Sequence, residues 1–408
     1  MKSSLSLPLG WKSQLFGDVI TGFTTGMTPS RRYDEYFKGD IPWITSGELN
    51  YNLIIDTFEK ITPEAVSNTN LKIIPKGTFL IAITGLEASG TRGSCGITGI
   101  RATTNQSCMA LYPKQEQLST EYLFHYYVAY GNQLALEYAQ GTKQQSYNAK
   151  LVKLLPILVP PLAEQQKIAQ ALTDADNYIS ALEKLIEKKK MMKEGLMVNL
   201  LTGKQRLKEF AFNEDGTAKG YKDSELGKIP EDWEIFNLGE LLSITTGDKN
   251  TQDKVSDGAY PFFVRSQIIE TSNTYSFDGE GVLTAGDGVG TGKIFHYING
   301  KCDIHQRVYL MSNFNKKLHG YFFYLYFSRN FYNRIMSMTA KSSVDSVRKE
   351  MIADMKIYLP ILEEQIEISK LIQNSTAELN NLEQKLSKFK KIKQGMMQKL
   401  LTGEIRLA

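Results

Sequence analysis

Two stretches of the chain repeat apolar side chains at alternating steps of four and three residues. The matching positions are Ile168, Leu172, Ala175, Ile179, Leu182 and Ile186, and then Ile368, Ile372, Ser375, Leu379, Leu382 and Leu386. This spacing is typical of a coiled-coil seam. Each stretch follows a proline and a glutamate-rich turn and ends before a glycine, Gly203 or Gly403, which indicates a helix start and end. The pattern predicts two helices of about 38 residues, or about 57 Å each, that pack on each other.

These stretches belong to an internal duplication. Residues 157–207 and 357–407 align at an offset of 200 without a gap. A weaker similarity lies at the start of each half, where Pro8-Leu9-Gly10-Trp11 resembles Pro230-Glu231-Asp232-Trp233. Because missing a repeat misassigns the whole fold, each half is interpreted as a variable globular segment followed by a constant helix.

The globular segments carry strand patterns rather than helix patterns. Runs rich in β-branched and aromatic residues with glycine turns cover 77–85, 281–300 and 305–311, and short helices are expected around 121–139 and 319–336. We therefore predict an α+β fold: two α/β domains with twisted, mostly antiparallel sheets, joined by two long helices that form an antiparallel coiled coil, with internal pseudo-twofold duplication. The expected divisions are 1–159, helix 160–203, connector 204–228, 229–359 and helix 360–408.

Composition narrows the class of protein only slightly. The 408 residues are 42% hydrophobic and 23% charged, with a net charge of +4, as in ordinary soluble domains. No stretch approaches the roughly 18 apolar residues of a membrane span, and no signal peptide is recognised. The cysteines Cys95, Cys108 and Cys302 are scattered, which favours buried thiols in a reducing cytosol. We expect a cytoplasmic protein for which a nucleic-acid partner is allowed.

The parts that an enzyme acting on DNA would need are not recognised in the sequence. No Asn/Asp-Pro-Pro-aromatic motif of an adenine methyltransferase is found. The glycine run 286–293 resembles a phosphate-binding loop, but Asp287 stands where the first glycine belongs and Ile294 where Ser or Thr belongs, so a turn between strands is predicted. The four histidines have no metal-ligand spacing. The sequence therefore predicts no catalytic residue, metal or cofactor.

Specific motifs point to a known family. The string 224–233, SELGKIPEDW, and residues 160–165, PPLAEQ, followed by a long helix ending in LLTG at 200–203, strongly resemble the specificity subunit of type I restriction–modification systems. The resemblance covers the whole chain in the order variable, constant, variable, constant. The second copy departs at 360–365, PILEEQ, by losing one proline.

The resemblance implies a non-catalytic subunit that recognises double-stranded DNA. Each variable segment would be a target-recognition domain reading half of a bipartite site, and the coiled coil would set the gap between the half-sites. Two methyltransferase subunits would dock on the helices, and restriction subunits would join them. Those partners, rather than this chain, would bind S-adenosylmethionine and hydrolyse ATP. A helix of about 57 Å spans about 17 base pairs, which suits two short half-sites and a spacer.

Candidate DNA contacts are chosen as Arg, Lys, amide and hydroxyl side chains on loops. In the first domain they are Lys143, Gln144, Gln145, Tyr147 and Asn148, just before the constant helix, with Thr45, Ser46 and Arg92. In the second domain they are Arg265, Gln267, Lys293, Arg307, Lys341, Ser342, Ser343 and Arg348.

Two other classes of function stay open on the sequence alone. One is a coiled-coil protein-binding scaffold without DNA specificity, and the other is a nuclease or methyltransferase fragment. Neither explains the duplicated opening motifs and constant helices.

Overall fold

The computed structural model describes residues 7–141, 145–338 and 346–407. These residues form two compact units. Unit 1 holds the described residues up to Glu183 together with those from Gln384 onward, and unit 2 holds those between Lys184 and Glu383. In the described part of the chain, no helix is long and apolar enough to cross a membrane.

The first globular segment is built from short strands that form two sheets and one separate strand pair. Its elements are β1 (Lys12–Leu15), α1 (Phe16–Val19), β2 (Ile20–Thr25), β3 (Ile41–Ile44), β4 (Asn52–Ile54), β5 (Glu59–Ile61), α2 (Pro63–Asn68), β6 (Phe79–Ala82), β7 (Cys95–Thr98), β8 (Thr103–Thr104), β9 (Cys108–Pro113), α3 (Thr120–Tyr138), α4 (Ala149–Lys153) and β10 (Pro156–Val159). One sheet has the order β2-β9-β6-β7-β4, another has the order β5-β3-β8, and β1 pairs with β10. The β4–β7 and β3–β8 pairs are parallel and the other pairs are antiparallel, as predicted.

Helix α3 covers the larger sheet because one of its faces is aromatic. Tyr122, Tyr126 and Tyr127 are buried, and the ring of Tyr127 meets that of Phe79 from β6 at a centroid distance of 5.7 Å. The helix begins where the Ser119 hydroxyl accepts a hydrogen bond from the Tyr122 N–H (3.1 Å). Its bounds lie within one residue of those expected from the sequence.

A long helix, α5 (Leu162–Leu201), follows β10 along the chain. The elements that follow it are β11 (Tyr221–Ser224), β12 (Gly227–Pro230), β13 (Glu234–Asn237), α6 (Leu238–Leu241), β14 (Ser243–Thr246), β15 (Tyr260–Phe263), β16 (Glu270–Ser272), β17 (Phe277–Ala285), β18 (Phe295–Ile304), β19 (Val308–Ser312), α7 (Gly320–Ser337), α8 (Lys349–Ala353), β20 (Lys356–Leu359) and the second long helix, α9 (Leu362–Leu400). A six-stranded sheet has the order β14-β19-β17-β18-β15-β16, and β13 pairs with β20. The stretch expected as a polar connector, 204–228, also contains β11 and the first two residues of β12, with which β11 forms a hairpin.

The two long helices run antiparallel within each unit. In unit 1, Lys393 pairs with Asp176 (2.5 Å), and Lys390 pairs with Glu183 (2.6 Å). In unit 2, Lys190 of α5 pairs with Glu383 of α9 (2.6 Å), and Arg206, just after α5, pairs with Glu364 at the start of α9 (2.5 Å). Residue numbers therefore fall along one helix as they rise along the other. The predicted seam residues Ile168, Leu172, Leu182, Ile186, Ile368, Ile372 and Leu379 are buried.

An arginine after each long helix clamps the start of the other long helix. Arg406 donates Nε and Nη2 to the Glu164 carboxylate (2.6 and 2.8 Å), which also accepts from the Trp11 indole (3.1 Å). Arg206 holds Glu364 in the same bidentate way (2.9 and 2.5 Å). The Arg406 hydrogen bonds lower the pKa of Glu164, against the opposing effect of burial and with help from Trp11. The clamps explain why both repeats carry a glutamate at the helix start and an arginine after LLTG.

The glutamine beside each clamped glutamate also has the same partners in both units. The Gln165 side chain accepts from the Ser119 N–H (2.9 Å) and donates to the Gln117 carbonyl (2.8 Å). The Gln365 side chain accepts from the His319 N–H (2.9 Å) and donates to the Lys317 carbonyl (2.8 Å). These bonds attach each long helix to the start of α3 or α7, so the repeated Glu-Gln pair is a structural joint.

Candidate DNA interface

In unit 1, loops that follow strands of both sheets meet at one edge. The Asn105 N–H donates to the Ile44 carbonyl (2.9 Å), which joins the loops after β8 and β3. Ile83, after β6, donates its N–H to the Ser107 carbonyl (2.9 Å) and accepts from the Tyr147 N–H (2.8 Å). We name the residues gathered here loop edge 1, which comprises 27–28, 45–48, 83–92, 105–107 and 145–148.

Thr45 and Ser46 lie at loop edge 1, but Thr45 is engaged locally. The buried carboxylate of Glu48 accepts from the Thr45 N–H (2.5 Å) and hydroxyl (2.9 Å). This capping box begins a single turn of 3-10 helix, Ser46–Glu48. Both hydroxyl side chains are half-buried, so their part of the edge is rigid.

Arg92 and Gln145 are brought close together by the loop after β6. Arg92 donates Nε to the Leu86 carbonyl (2.8 Å) and Nη2 to the Glu87 carbonyl (2.6 Å). The Gln145 N–H donates to the Glu87 carboxylate (2.9 Å). Arg92 therefore braces its own loop, and the backbone of Gln145, whose side chain is half-buried, is hydrogen-bonded to the same loop.

The remaining candidates of the first domain have different surroundings. Tyr147 is only 4% exposed and packs in the hydrophobic core, because its aromatic ring gains more from burial than from solvent. The Asn148 side chain caps α4 by accepting from the Leu151 N–H (3.0 Å). Lys143 and Gln144 lie outside the described residues.

Unit 2 has a corresponding edge with a distinct charged cluster. We name residues 249–250, 264–267, 286–293, 305–307 and 346–348 loop edge 2. Arg265 donates Nη1 to one carboxylate oxygen of Asp287 (2.6 Å), and Arg307 donates Nη1 to the other oxygen (2.5 Å). The arginine side chains are 41% and 61% exposed, whereas that of Asp287 is 19% exposed. The carboxylate thus anchors two arginines whose side chains stay substantially exposed.

Three other predicted residues of the second domain, Gln267, Lys293 and Arg348, are exposed at loop edge 2. Gln267 and Arg348 are exposed, and the backbone of Arg348 precedes α8. Lys293 lies with its ammonium 5.4 Å from the ring centre of Tyr332. The predicted contacts Lys341, Ser342 and Ser343 lie outside the described residues.

The glycine run 286–293 is a turn between the antiparallel strands β17 and β18, as predicted. Gly288 and Gly292 adopt φ angles of +82° and +69°, a backbone region that favours glycine. The Thr291 hydroxyl closes the turn by donating to the Gly288 carbonyl (2.6 Å). This turn presents Asp287 to the two arginines.

The backbones of the two loop edges are built by the same hydrogen bonds. In unit 2 the Gly286 N–H donates to the Arg307 carbonyl (2.9 Å), and the Val347 N–H donates to the Gly286 carbonyl (2.7 Å). These bonds repeat those of Ile83 with Ser107 and Tyr147 in unit 1. The duplication therefore includes the loop edges, although their side chains differ.

An exposed glutamine occupies the same place at each edge. Gln106 accepts at its side-chain oxygen from the Thr28 hydroxyl (2.6 Å), and Gln306 donates its amide to the Asn250 oxygen (2.6 Å). Neither glutamine was chosen from the sequence, nor was Asp287 chosen as a site residue. If the 200-residue offset is extended upstream of residue 157, Gln106 aligns with Gln306, so the sequence does contain a signal for both residues.

The two arginines determine the charge state of the cluster that they form with Asp287. Burial acts to raise the pKa of Asp287, but hydrogen bonds from Arg265 and Arg307 outweigh it and the pKa lies below the ordinary value. Burial, and then the positive charge of Arg265, lower the pKa of His305. At neutral pH the cluster is therefore one carboxylate with two guanidinium groups beside an uncharged histidine. Within the described residues, no group of three or more His, Cys, Asp or Glu side chains could hold a metal ion.

Comparison with known proteins identifies the family. The model of the type I restriction modification DNA specificity domain matches residues 8–190 and 230–391, well over half of the chain. The chain is 25% identical over 426 residues to the type I restriction enzyme MjaVIII specificity subunit of Methanocaldococcus jannaschii, covering 99% of this chain and 95% of that protein. It is 30% identical over 282 residues to the MjaIX specificity subunit of the same organism, covering 65% and 61%.

Solved structures support the same fold. The type I restriction–modification S subunit of M. genitalium superposes with a TM-score of 0.64 at 15% identity, covering 98% of this chain and 99% of that one. The HsdS subunit of Thermoanaerobacter tengcongensis gives 0.50 at 15% identity, covering 99% and 100%. With two matched domains, a duplicated scaffold and two antiparallel long helices, the chain belongs to the type I restriction–modification DNA specificity family.

Proposed function

We propose that the chain reads a bipartite DNA site, one half through each loop edge, and presents it to methyltransferase and restriction subunits. The observation that carries this proposal is one backbone scaffold built twice with different side chains. Ser46, Thr84 and Ser107 of unit 1 stand where unit 2 has Arg265, Asp287 and Arg307. Repeated scaffolds with different exposed side chains suit two different half-sites, whereas a symmetric dimer imposes a palindrome.

In this proposal the catalytic chemistry belongs to the partners. The chain supplies recognition, and separate subunits bind S-adenosylmethionine, transfer the methyl group and hydrolyse ATP in the cytoplasm. The long helices offer docking surface, because the apolar side chains of Met191, Met192 and Ile392 are 62%, 57% and 43% exposed. Exposed apolar side chains on a helix favour a protein partner.

The test is methylome sequencing of a host that lacks adenine methylation and expresses the chain with its methyltransferase partner. The variants are Gln106→Ala at loop edge 1 and Gln306→Ala at loop edge 2, because an exposed amide is suited to the edge of adenine. Each variant is expected to weaken or relax base preference in one half-site and leave the other unchanged. Gln133→Ala, at an exposed position on α3, is the matched control.

A single variant that altered both half-sites would contradict separate reading by the two edges. The alternative function is a protein-binding scaffold without DNA specificity. Electrophoretic mobility shift with and without the methyltransferase separates the two, because a scaffold adds no sequence-dependent retardation in either case. The present proposal requires sequence-dependent retardation by the complex.

A further inference from the structure

The cluster of Arg265, Asp287 and Arg307 has a geometry that goes beyond general DNA binding. The two arginines share one carboxylate, each through a single Nη1 contact (2.6 and 2.5 Å). A guanidinium has five N–H donors, so each arginine keeps most of its donors for another partner. The anchoring also restricts long side chains before any ligand binds, which reduces the conformational entropy lost on binding.

The scaffold around the cluster holds all three residues at fixed places. Arg307 lies in the turn between β18 and β19 and donates its backbone N–H to the His305 ring (3.0 Å). Asp287 forms a backbone bridge with Ser346. Arg265 comes two residues after β15, where the His305 N–H donates to the Phe263 carbonyl (3.0 Å). The two guanidinium groups and the carboxylate therefore extend from three joined segments rather than from one loose loop.

The charge of the cluster favours a base edge over a phosphate. The carboxylate cancels one of the two positive charges, which weakens attraction to the DNA backbone but leaves directed donors. The commonest specific partner of such donors is guanine, whose O6 and N7 accept two hydrogen bonds from one arginine in the major groove. A cluster that served only to bind phosphate would bind DNA more strongly without the negative charge of Asp287.

We propose that Arg265 and Arg307, positioned by Asp287, read guanine in the half-site recognised by unit 2, and that loop edge 1, as far as the structure describes it, has no such cluster. The inference rests on the proposed function and adds the base that is read. At the equivalent places unit 1 has Ser46 and Ser107, whose hydroxyls can donate or accept and discriminate little between bases. Asp287 is a positioning residue, because it acts through the arginines.

The experiment uses the chain in complex with its methyltransferase partner and measures methylation and DNA binding of a library randomised in both half-sites. Arg307→Ala and Arg265→Ala are each expected to lower the preference for guanine at one position by about 5- to 150-fold, the range for one bidentate arginine–guanine pair. The other half-site should not change. Arg329→Ala, on α7 and paired with Glu194, is the matched control.

Two further variants distinguish a role in base recognition from a role in folding and from a general effect of positive charge. Arg307→Lys keeps the charge but loses the planar fork, so it should lose guanine preference while binding at low salt is retained. Asp287→Ala should lose guanine preference yet steepen the dependence of affinity on salt by up to about 0.9 in log–log slope, the value for one additional phosphate contact. A role limited to holding the fold would not steepen that slope.

The outcomes are distinct. Loss of guanine preference in one half-site for the arginine variants supports the proposal. A uniform loss of affinity across all library sequences would mean phosphate contacts and would overturn it while leaving the proposed function intact. If the unsubstituted complex selected no sequence at all, the proposed function itself would fail and this inference would fail with it.

Discussion

Gly203 ends the first long helix in a conformation that alanine adopts only at a cost. Its φ angle is +67°, and a methyl group added there would lie 2.5 Å from Cγ and 2.6 Å from Cδ of Pro230. Gly195, eight residues earlier and inside α5, is a matched control glycine, because a methyl group added there would have no atom within 4 Å. The same substitution should therefore have opposite effects at the two positions.

The magnitudes follow from backbone preference and sterics. A left-handed conformation costs an L-residue roughly 1–2 kcal/mol, and the overlap with Pro230 adds to that, so Gly203→Ala should lower the free energy of unfolding by at least about 2 kcal/mol. In a helix interior, alanine is better than glycine by about 0.8–1 kcal/mol, so Gly195→Ala should raise it. For a unit of this size the thermal midpoint should fall by about 4–8 °C in the first variant and rise by about 2–4 °C in the second.

The assay is thermal and guanidinium unfolding of the full chain, followed by circular dichroism. The second repeat supplies an internal replicate, because Gly403 has a φ of +74° with Pro8 at 2.5 Å, and Gly395 is unobstructed. If Gly203→Ala proved as stable as Gly195→Ala, the reasoning from cap geometry would be refuted.

Three other predictions concern the clamp, the helix direction and the cysteines. Because Arg406 lowers the pKa of Glu164, the clamp stabilises the fold at neutral pH, and this contribution is lost as pH falls through the folded-state pKa. Arg406→Met should therefore have a lower free energy of unfolding than the unsubstituted chain, with a difference that is largest at neutral pH and disappears in acid. A difference that did not depend on pH would contradict this. Cysteines at Leu172 and Met396, which belong to one core of unit 1, should form an intramolecular crosslink, and its absence would argue against the antiparallel pairing. Burial raises the pKa of Cys302 to about 12, so it should resist thiol reagents at pH 8 until the protein is denatured, and rapid labelling of the native chain would show that it is accessible.

Local pattern was enough to predict the two long helices. The 4-3 spacing of Ile168, Leu172 and Leu182 marks residues that are buried in the structure, and Gly203 and Gly403 end the helices with positive φ angles. Such features depend on neighbours along the chain, where periodicity and backbone preference act directly. The glycine turn at 286–293 was predicted for the same reason.

The candidate site was predicted less completely, because its composition depends on contacts between segments distant in sequence. Arg265 and Arg307 were recognised as single residues, but their shared partner Asp287 was interpreted only as a turn residue. Tyr147 was placed with polar neighbours and is buried in the core instead. A one-dimensional pattern does not show which loop a side chain will meet.

The sequence by itself determined the duplication, the two constant helices, the mostly antiparallel domains and the family, since each is recorded in periodicity or in contiguous motifs. Only the tertiary structure decided that the loops after β3, β6 and β8 converge, that the same edge is built again in unit 2, and that Asp287 binds two arginines there. Those facts arise from strand pairing across many residues, where register and packing rather than local preference select the neighbours of a side chain.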